Sequence, residues 1–166
     1  MSMLTSFPAL ADRSAQVLIL GSMPGIVSLQ ASQYYAHPRN SFWPIMASIY
    51  GFDAQADYEI KVQRVLVKHI AIWDVLQSCE RLGSLDSAIV NGSRVANDFS
   101  LFFQQHPQIK CICFNGAEAE KSFNRFVLPH MDLSHFKLVR LPSTSPANTQ
   151  SFAQKQAAWA QVLTAL

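Results

Sequence analysis

Short apolar runs alternate with longer amphipathic stretches along this chain, and that alternation constrains the fold more than any other feature. Val17–Leu20 reads Val-Leu-Ile-Leu and stops at Gly21, the pattern of a short buried strand. Ile70–Val75, Lys110–Phe114 and Lys137–Leu141 read as further strands. Between them the spacing turns helical. Ser41–Tyr50 carries Phe42, Ile45, Met46 and Ile49 on one face, with Pro44 in the first turn where its missing N–H is harmless. Asp57 can cap a helix running to about Lys68. Asn97–His106 stops at Pro107, and Ala117–Val127 is followed by Pro129. The last helix, Gln150–Leu166, presents Phe152, Ala153, Trp159, Val162 and Leu163 as its apolar face. Gly21–Arg39 and Pro142–Thr149 read as loops.

Strand alternating with helix calls for right-handed crossovers and a mostly parallel sheet covered on both faces. The predicted class is α/β. With no repeat, Gly/Ser linker or low-complexity tract, residues 1–166 are expected to form one domain. Such sheets bind ligands outside the carboxyl ends of their strands. The segments that follow the strands are Gly21-Ser22-Met23-Pro24-Gly25, Asp74-Val75-Leu76, Asn115-Gly116-Ala117 and Pro142-Ser143-Thr144-Ser145-Pro146-Ala147-Asn148. They should meet on one rim, offering small polar groups and backbone N–H donors.

Composition narrows the function classes. Charged residues are 14% of the chain and hydrophobic ones 49%, which excludes a disordered chain and a coiled coil. Thirteen Lys and Arg against 11 Asp and Glu leave a net charge of +2, too mild to demand nucleic acid but compatible with a local patch. No apolar run approaches the roughly 18 residues of a membrane span. The opening residues lack the basic-then-apolar pattern of a secretory signal. Cys79, Cys111 and Cys113 are odd in number and form no disulfide framework, so a reduced, cytoplasmic setting is expected. No fourth cysteine and no histidine spacing suits a metal site.

Taken singly, each motif has an ordinary structural explanation. Gly21–Gly25 is a tight turn whose N–H groups could approach a planar ligand, yet it lacks the Walker and dinucleotide patterns. Tyr34-Tyr35-Ala36-His37-Pro38-Arg39-Asn40-Ser41-Phe42-Trp43 is the most unusual stretch. Tyr35 can stack on a base, Arg39 can hold a phosphate, and Asn40 can hold a water or cap the next helix. Phe42 and Trp43 are read as core. Asp74 can accept a hydrogen bond from a ligand N–H, cap a helix, or pair with Arg81. Asn115 opens an Asn-Gly turn.

Taken in order, Gly21-Ser22-Met23-Pro24-Gly25, Tyr35-Ala36-His37-Pro38-Arg39-Asn40-Ser41-Phe42-Trp43 and Leu141-Pro142-Ser143-Thr144-Ser145-Pro146-Ala147-Asn148 resemble the uracil-DNA glycosylase superfamily. Within it they look like the hypoxanthine (deoxyinosine) DNA glycosylase branch. The resemblance implies a three-layer α/β/α sandwich with a short, mostly parallel central sheet. It implies a monofunctional enzyme, without metal or cofactor, that hydrolyses the N-glycosidic bond of a deaminated base. The substrate would be double-stranded DNA, and the enzyme a monomer. Asn40 would be catalytic. Gly21, Ser22, Met23, Pro24, Gly25, Tyr35, Asp74 and Asn115 would bind the base, with Tyr35 stacking on it. Arg39, Ser143, Thr144, Ser145 and Asn148 would hold the DNA. Many relatives carry Asp or Asn where Met23 stands and His where Leu141 stands, and both departures argue against efficient uracil removal. The competing readings are a uracil or mismatch-specific glycosylase, a non-catalytic module that binds damaged DNA, and a small nucleotide-binding protein.

Overall fold

A computed structural model describes residues 2–166. Four strands form a parallel sheet in the order β3-β2-β6-β7: β2 (Val17–Gly21), β3 (Ile70–Asp74), β6 (Cys111–Asn115) and β7 (Lys137–Leu141). Central β2 runs beside both β3 and β6, with Val17 opposite Ile70 on one side and Cys111 on the other. The order changes direction between β2 and β6. That switch point is where a crevice opens in such sheets.

The pleat sends successive side chains to opposite faces, and both faces are buried. Leu18, Leu20, Ala71, Trp73, Ile112 and Phe114 point to one side. There they meet α4 (Phe99–Gln105) and α5 (Ala117–Phe126) through Phe99, Phe102, Ala119 and Phe123. Val17, Ile19, Ile70, Ile72, Cys111 and Cys113 point to the other. They pack on α2 (Phe42–Tyr50), α3 (Tyr58–Leu66) and α6 (Phe152–Leu163) through residues such as Phe42, Val65 and Trp159. The result is a three-layer α/β/α sandwich around a short parallel sheet. All three cysteines are buried and free.

Three elements depart from the pattern read in the sequence. The stretch read as a loop, Gly21–Arg39, contains a six-residue helix, α1 (Ile26–Ala31), which starts at Gly25 and ends at a left-handed Ser32. It is too short to show helical periodicity. Beyond Asp74 the chain does not turn away but continues as β4 (Leu76–Glu80), paired antiparallel with β1 (Met3–Thr5) and β5 (Val95–Ala96) in a second small sheet. Strands of two or three residues carry no alternation to read. In α6 the buried side is Lys155, Trp159 and Leu163, whereas Phe152 is 47% exposed. Lys155 is buried because its stem lies along the protein while Nζ donates to Ser145 O at 3.1 Å. No helix among the described residues is long and apolar enough to cross a membrane.

Candidate active site

The four segments that follow the parallel strands do meet. They surround a cleft of about 140 Å³ at the carboxyl ends of β2, β3 and β6. That is many times the roughly 10–15 Å³ that one water requires. One wall is Gly21–Ser28, the opposite wall is Ser143–Pro146, and Tyr34, Tyr35, His37 and Asn40 close a third side. No Lys or Arg side chain lines it among the described residues.

Gly21, Asp74 and Tyr35 build the floor. Gly21 and Asp74 end adjacent parallel strands in register. A Cβ on Gly21 would sit 2.5 Å from Asp74 Oδ1 and 3.1 Å from the Tyr35 hydroxyl, so these two groups occupy the space that a side chain would need. Asp74 is 3% exposed. Its Oδ2 and the Tyr35 hydroxyl are both buried without a hydrogen-bond partner. Burial, and then the nearby Asp86 carboxylate, push the Asp74 carboxyl up from its ordinary 3.8 to about 7, against the pull of Arg81. Burial and then Asp74 raise the Tyr35 hydroxyl far above the ordinary tyrosine range, against the pull of the neighbouring Asn115 side chain, so it stays protonated.

Asp74 is therefore neither a helix cap nor the ion-pair partner of Arg81. The Arg81 guanidinium instead braces the first wall, donating from Nε to Gly83 O at 2.8 Å and from a terminal nitrogen to Pro24 O at 2.6 Å. Ser22 Oγ donates to Asp86 Oδ1 at 2.6 Å, and Ile26 N–H donates to Ser84 Oγ at 2.9 Å. These bonds tie the Gly21–Gly25 loop to the segment after β4. Met23 is buried and joins the core behind the wall.

Tyr34 and Tyr35 both turn inward, which adjacent loop residues rarely do. Tyr35 has φ of 56°, a left-handed conformation uncommon for a bulky residue. One face of its ring is stacked on Phe42 at 4.0 Å between centroids. Tyr34 donates its hydroxyl to Pro8 O at 2.9 Å. Asn40 lines the cleft just before α2, and its Oδ1 accepts the Phe42 N–H at 2.9 Å. The N-cap position belongs to Ser41, yet Asn40 supplies the side-chain bond to the helix. One Oδ1 lone pair and the amide NH₂ remain for a ligand. Arg39 is exposed beside it.

Asn115 and Thr144 form a reciprocal pair. Asn115 Nδ2 donates to Thr144 Oγ1 at 3.0 Å, and Thr144 N–H donates to Asn115 Oδ1 at 2.9 Å. This clamps the last loop onto the end of β6. It also turns Thr144 inward, at 1% exposure, away from any DNA at the surface. Ser143 and Ser145 behave differently. Their Oγ atoms accept backbone N–H bonds from Ser145 and Ala147, both at 3.2 Å. Each O–H is then left free to donate to a ligand. Asn148 Nδ2 donates to Ser143 O at 2.9 Å and helps shape the loop.

Ser84 and Asp86 belong to the cleft and escaped sequence reasoning, because the segment after β4 carries no recognisable motif. The only signal was Asp86 within an otherwise apolar and small-residue stretch. Among the described residues no cluster of three or more His, Cys, Asp or Glu side chains could hold a metal.

Comparison with known proteins agrees with this architecture. A model of the uracil DNA glycosylase superfamily matches residues 7–166. A hypoxanthine DNA glycosylase of Methanosarcina barkeri is 33% identical over 156 residues, covering 93% of this chain and 94% of that protein. One from Methanosarcina acetivorans is 34% identical over 157 residues, covering 94% and 95%. The solution NMR structure of a candidate uracil DNA glycosylase from Methanosarcina acetivorans superposes with a TM-score of 0.82 at 31% identity, covering 98% of this chain and 97% of that one.

Proposed function

The chain belongs to the uracil DNA glycosylase superfamily, and from that premise we infer that it is a DNA glycosylase that releases hypoxanthine from deoxyinosine in DNA. It acts as one domain on a duplex, as a cytoplasmic monomer. The observation that carries this reading is the convergence of Asn40, the Gly21–Gly25 loop and the Ser143–Pro146 loop on one uncharged-to-acidic cleft of base size. A cleft built to hold a free nucleotide would offer cations to the phosphates, and this one has none among the described lining residues.

A base inside a duplex must be flipped out, at a cost of a few kcal/mol that is least for a mispaired base. Hypoxanthine mispairs, which favours its extrusion. Gly21, Ser22, Met23, Pro24 and Gly25 bound the base on one side, and Tyr35, Asp74 and Asn115 on others. Bond cleavage leaves positive charge on the sugar and negative charge on the base. Asn40 holds the attacking water through the free lone pair of Oδ1. An amide accepts no proton at neutral pH, so Asn40 positions the water and does not act as a base. Arg39 and the free O–H groups of Ser143 and Ser145 contact the DNA backbone, with Asn148 holding their loop in shape. Uracil is disfavoured, because Met23 presents no polar atom to orient a water and Leu141 is buried in the core.

Labelled duplexes holding one hypoxanthine, uracil or xanthine test the proposal, with abasic sites revealed by alkali. Wild type should release hypoxanthine. Asn40→Ala should slow release by about 100-fold or more, the range of lost water-positioning or general-base groups, while duplex binding persists. Normal cleavage by Asn40→Ala removes it from the catalytic role. Binding without release of any base favours a damage-binding module.

A further inference from the structure

Two polar atoms on the cleft floor have no partner in the protein, Asp74 Oδ2 and the Tyr35 hydroxyl. Both groups lie against the same point, the space that a side chain on Gly21 would fill. Buried polar groups almost always have a hydrogen-bond partner, so two orphans facing one point in a cleft call for a partner from outside the protein.

The surroundings of Asp74 all bear on its charge. Asp86, on the short turn after β4, repels a carboxylate. Arg81 attracts one: its Nε and one terminal nitrogen bond Gly83 O and Pro24 O, and the other terminal nitrogen is buried without a partner, but none comes within ion-pair distance of Asp74. Tyr34 and Tyr35 stay protonated beside it. His37 lies on the cleft wall. Among the described residues no ion pair reaches Asp74. Burial and Asp86 outweigh the pull of Arg81, which makes no ion pair with this carboxyl, so the neutral form is favoured, and a neutral carboxyl donates where a carboxylate would accept. The residue that looked in the sequence like an acceptor for a base N–H is thus set up as an acid.

We propose that Asp74 protonates the departing purine at N7 while the Tyr35 hydroxyl donates to the neighbouring O6. This rests on the glycosylase reading and deepens it by naming the edge of the base that is read. The C1′–N9 bond breaks and its electron pair passes to the purine. The proton moves from Asp74 Oδ2 to N7, so hypoxanthine leaves as a neutral molecule. The carboxylate left behind faces a cationic sugar and stabilises it. A water held by Asn40 bonds to C1′, and its proton returns to Asp74. Two adjacent donors also select the substrate. Hypoxanthine shares with guanine the acceptor pair N7 and O6, whereas adenine sets a donor at N6 beside N7. Tyr35 meets the base with its hydroxyl in this arrangement, one ring face being taken by Phe42.

The test is single-turnover release of hypoxanthine between pH 5.5 and 9 by wild type, Asp74→Asn and Tyr35→Phe, with duplex affinity measured alongside. Wild-type rates should be flat at low pH and fall about tenfold per unit well above pH 7. Asp74→Asn should be about 100-fold slower at low pH, lose the alkaline fall, and bind DNA as wild type does. Tyr35→Phe should keep the pH profile, be about tenfold slower on hypoxanthine and discriminate less against adenine. Asp74→Asn with the wild-type rate, or with the alkaline fall intact, overturns the proposal. So does a wild-type rate that rises through pH 7, which would make the carboxylate the working form. If wild type releases no hypoxanthine at any pH, the glycosylase reading fails first and takes this proposal with it.

Discussion

Replacing Asp74 by asparagine should make the protein more stable at alkaline pH and leave it no more stable at acid pH. In the folded chain Asp74 holds its proton up to about pH 7, against 3.8 for an unperturbed carboxyl. Between those values the folded state binds more protons than the unfolded one. Stability is therefore fully present below about pH 4 and is lost as pH rises through 7. At about 1.36 kcal/mol per unit, the charge on Asp74 destabilises the wild type by on the order of 4 kcal/mol at pH 8. Asparagine has the same shape and no charge to bury. Its amide carries one donor more than the neutral acid, and that further N–H would lack a partner on this floor, at a cost of about 1–3 kcal/mol that does not vary with pH. The net gain at pH 8 is about 1–3 kcal/mol, or roughly 2–12 °C in Tm for a chain of this size. Near pH 4.5 the variant should melt within about 2 °C of wild type or below it. Thermal melts at the two pH values, followed by circular dichroism, decide the matter. A difference between variant and wild type that stays constant with pH would show that Asp74 is not a carboxyl held neutral by burial. A variant less stable at pH 8 would show that its charge is compensated, with the unpartnered terminal nitrogen of Arg81 the group to account for it.

Three further variants test the walls of the cleft and its approach to DNA. Gly21→Ala places a Cβ 2.5 Å from Asp74 Oδ1, and because Gly21 does not have a positive φ, the strain is steric and not conformational. Overpacking of about 1–3 kcal/mol, less about 0.4–1 kcal/mol from the stiffer unfolded chain, should lower Tm by a few degrees and displace the carboxyl, cutting hypoxanthine release about 100-fold. Gly25→Ala meets only the flexible Ser84 side chain, at 3.3 Å, and should change Tm by less than about 3 °C; equal effects at the two glycines would refute the packing argument. Arg39→Ala should weaken duplex binding about equally for all sequences and reduce the slope of log K against log salt by about 1, as read by fluorescence anisotropy over a salt series. An unchanged slope removes Arg39 from the phosphate contacts.

The sequence by itself determined the layers. Runs such as Val17–Leu20 and Cys111–Phe114 are apolar at every position, which only strands buried on both faces tolerate, and the helices between them forced parallel crossovers. That in turn located the rim, because parallel strands end together and the loops after β2, β3, β6 and β7 have nowhere else to go. Asp74, Asn115 and the Gly21–Gly25 and Pro142–Asn148 loops are therefore legible in the sequence as one rim, whereas Tyr35 and Asn40 join them through the resemblance to the family and not through the order of strands. Tertiary structure decided what each does. Thr144 and Asn115 look like ligand groups in a string of polar residues, but their bonds run to one another across 29 positions, a pairing with no local signature. Lys155 looks exposed, and Phe152 looks buried, until the last loop comes within reach of Nζ. Ser84 and Asp86 enter the cleft only because β4 continues past Asp74 into a second sheet whose short strands carry no readable period. The ionisation of Asp74 depends least of all on its neighbours in the chain. It is set by burial under two walls drawn from distant segments and by Asp86 opposite, and desolvation is a property of the assembled protein that no residue type contains.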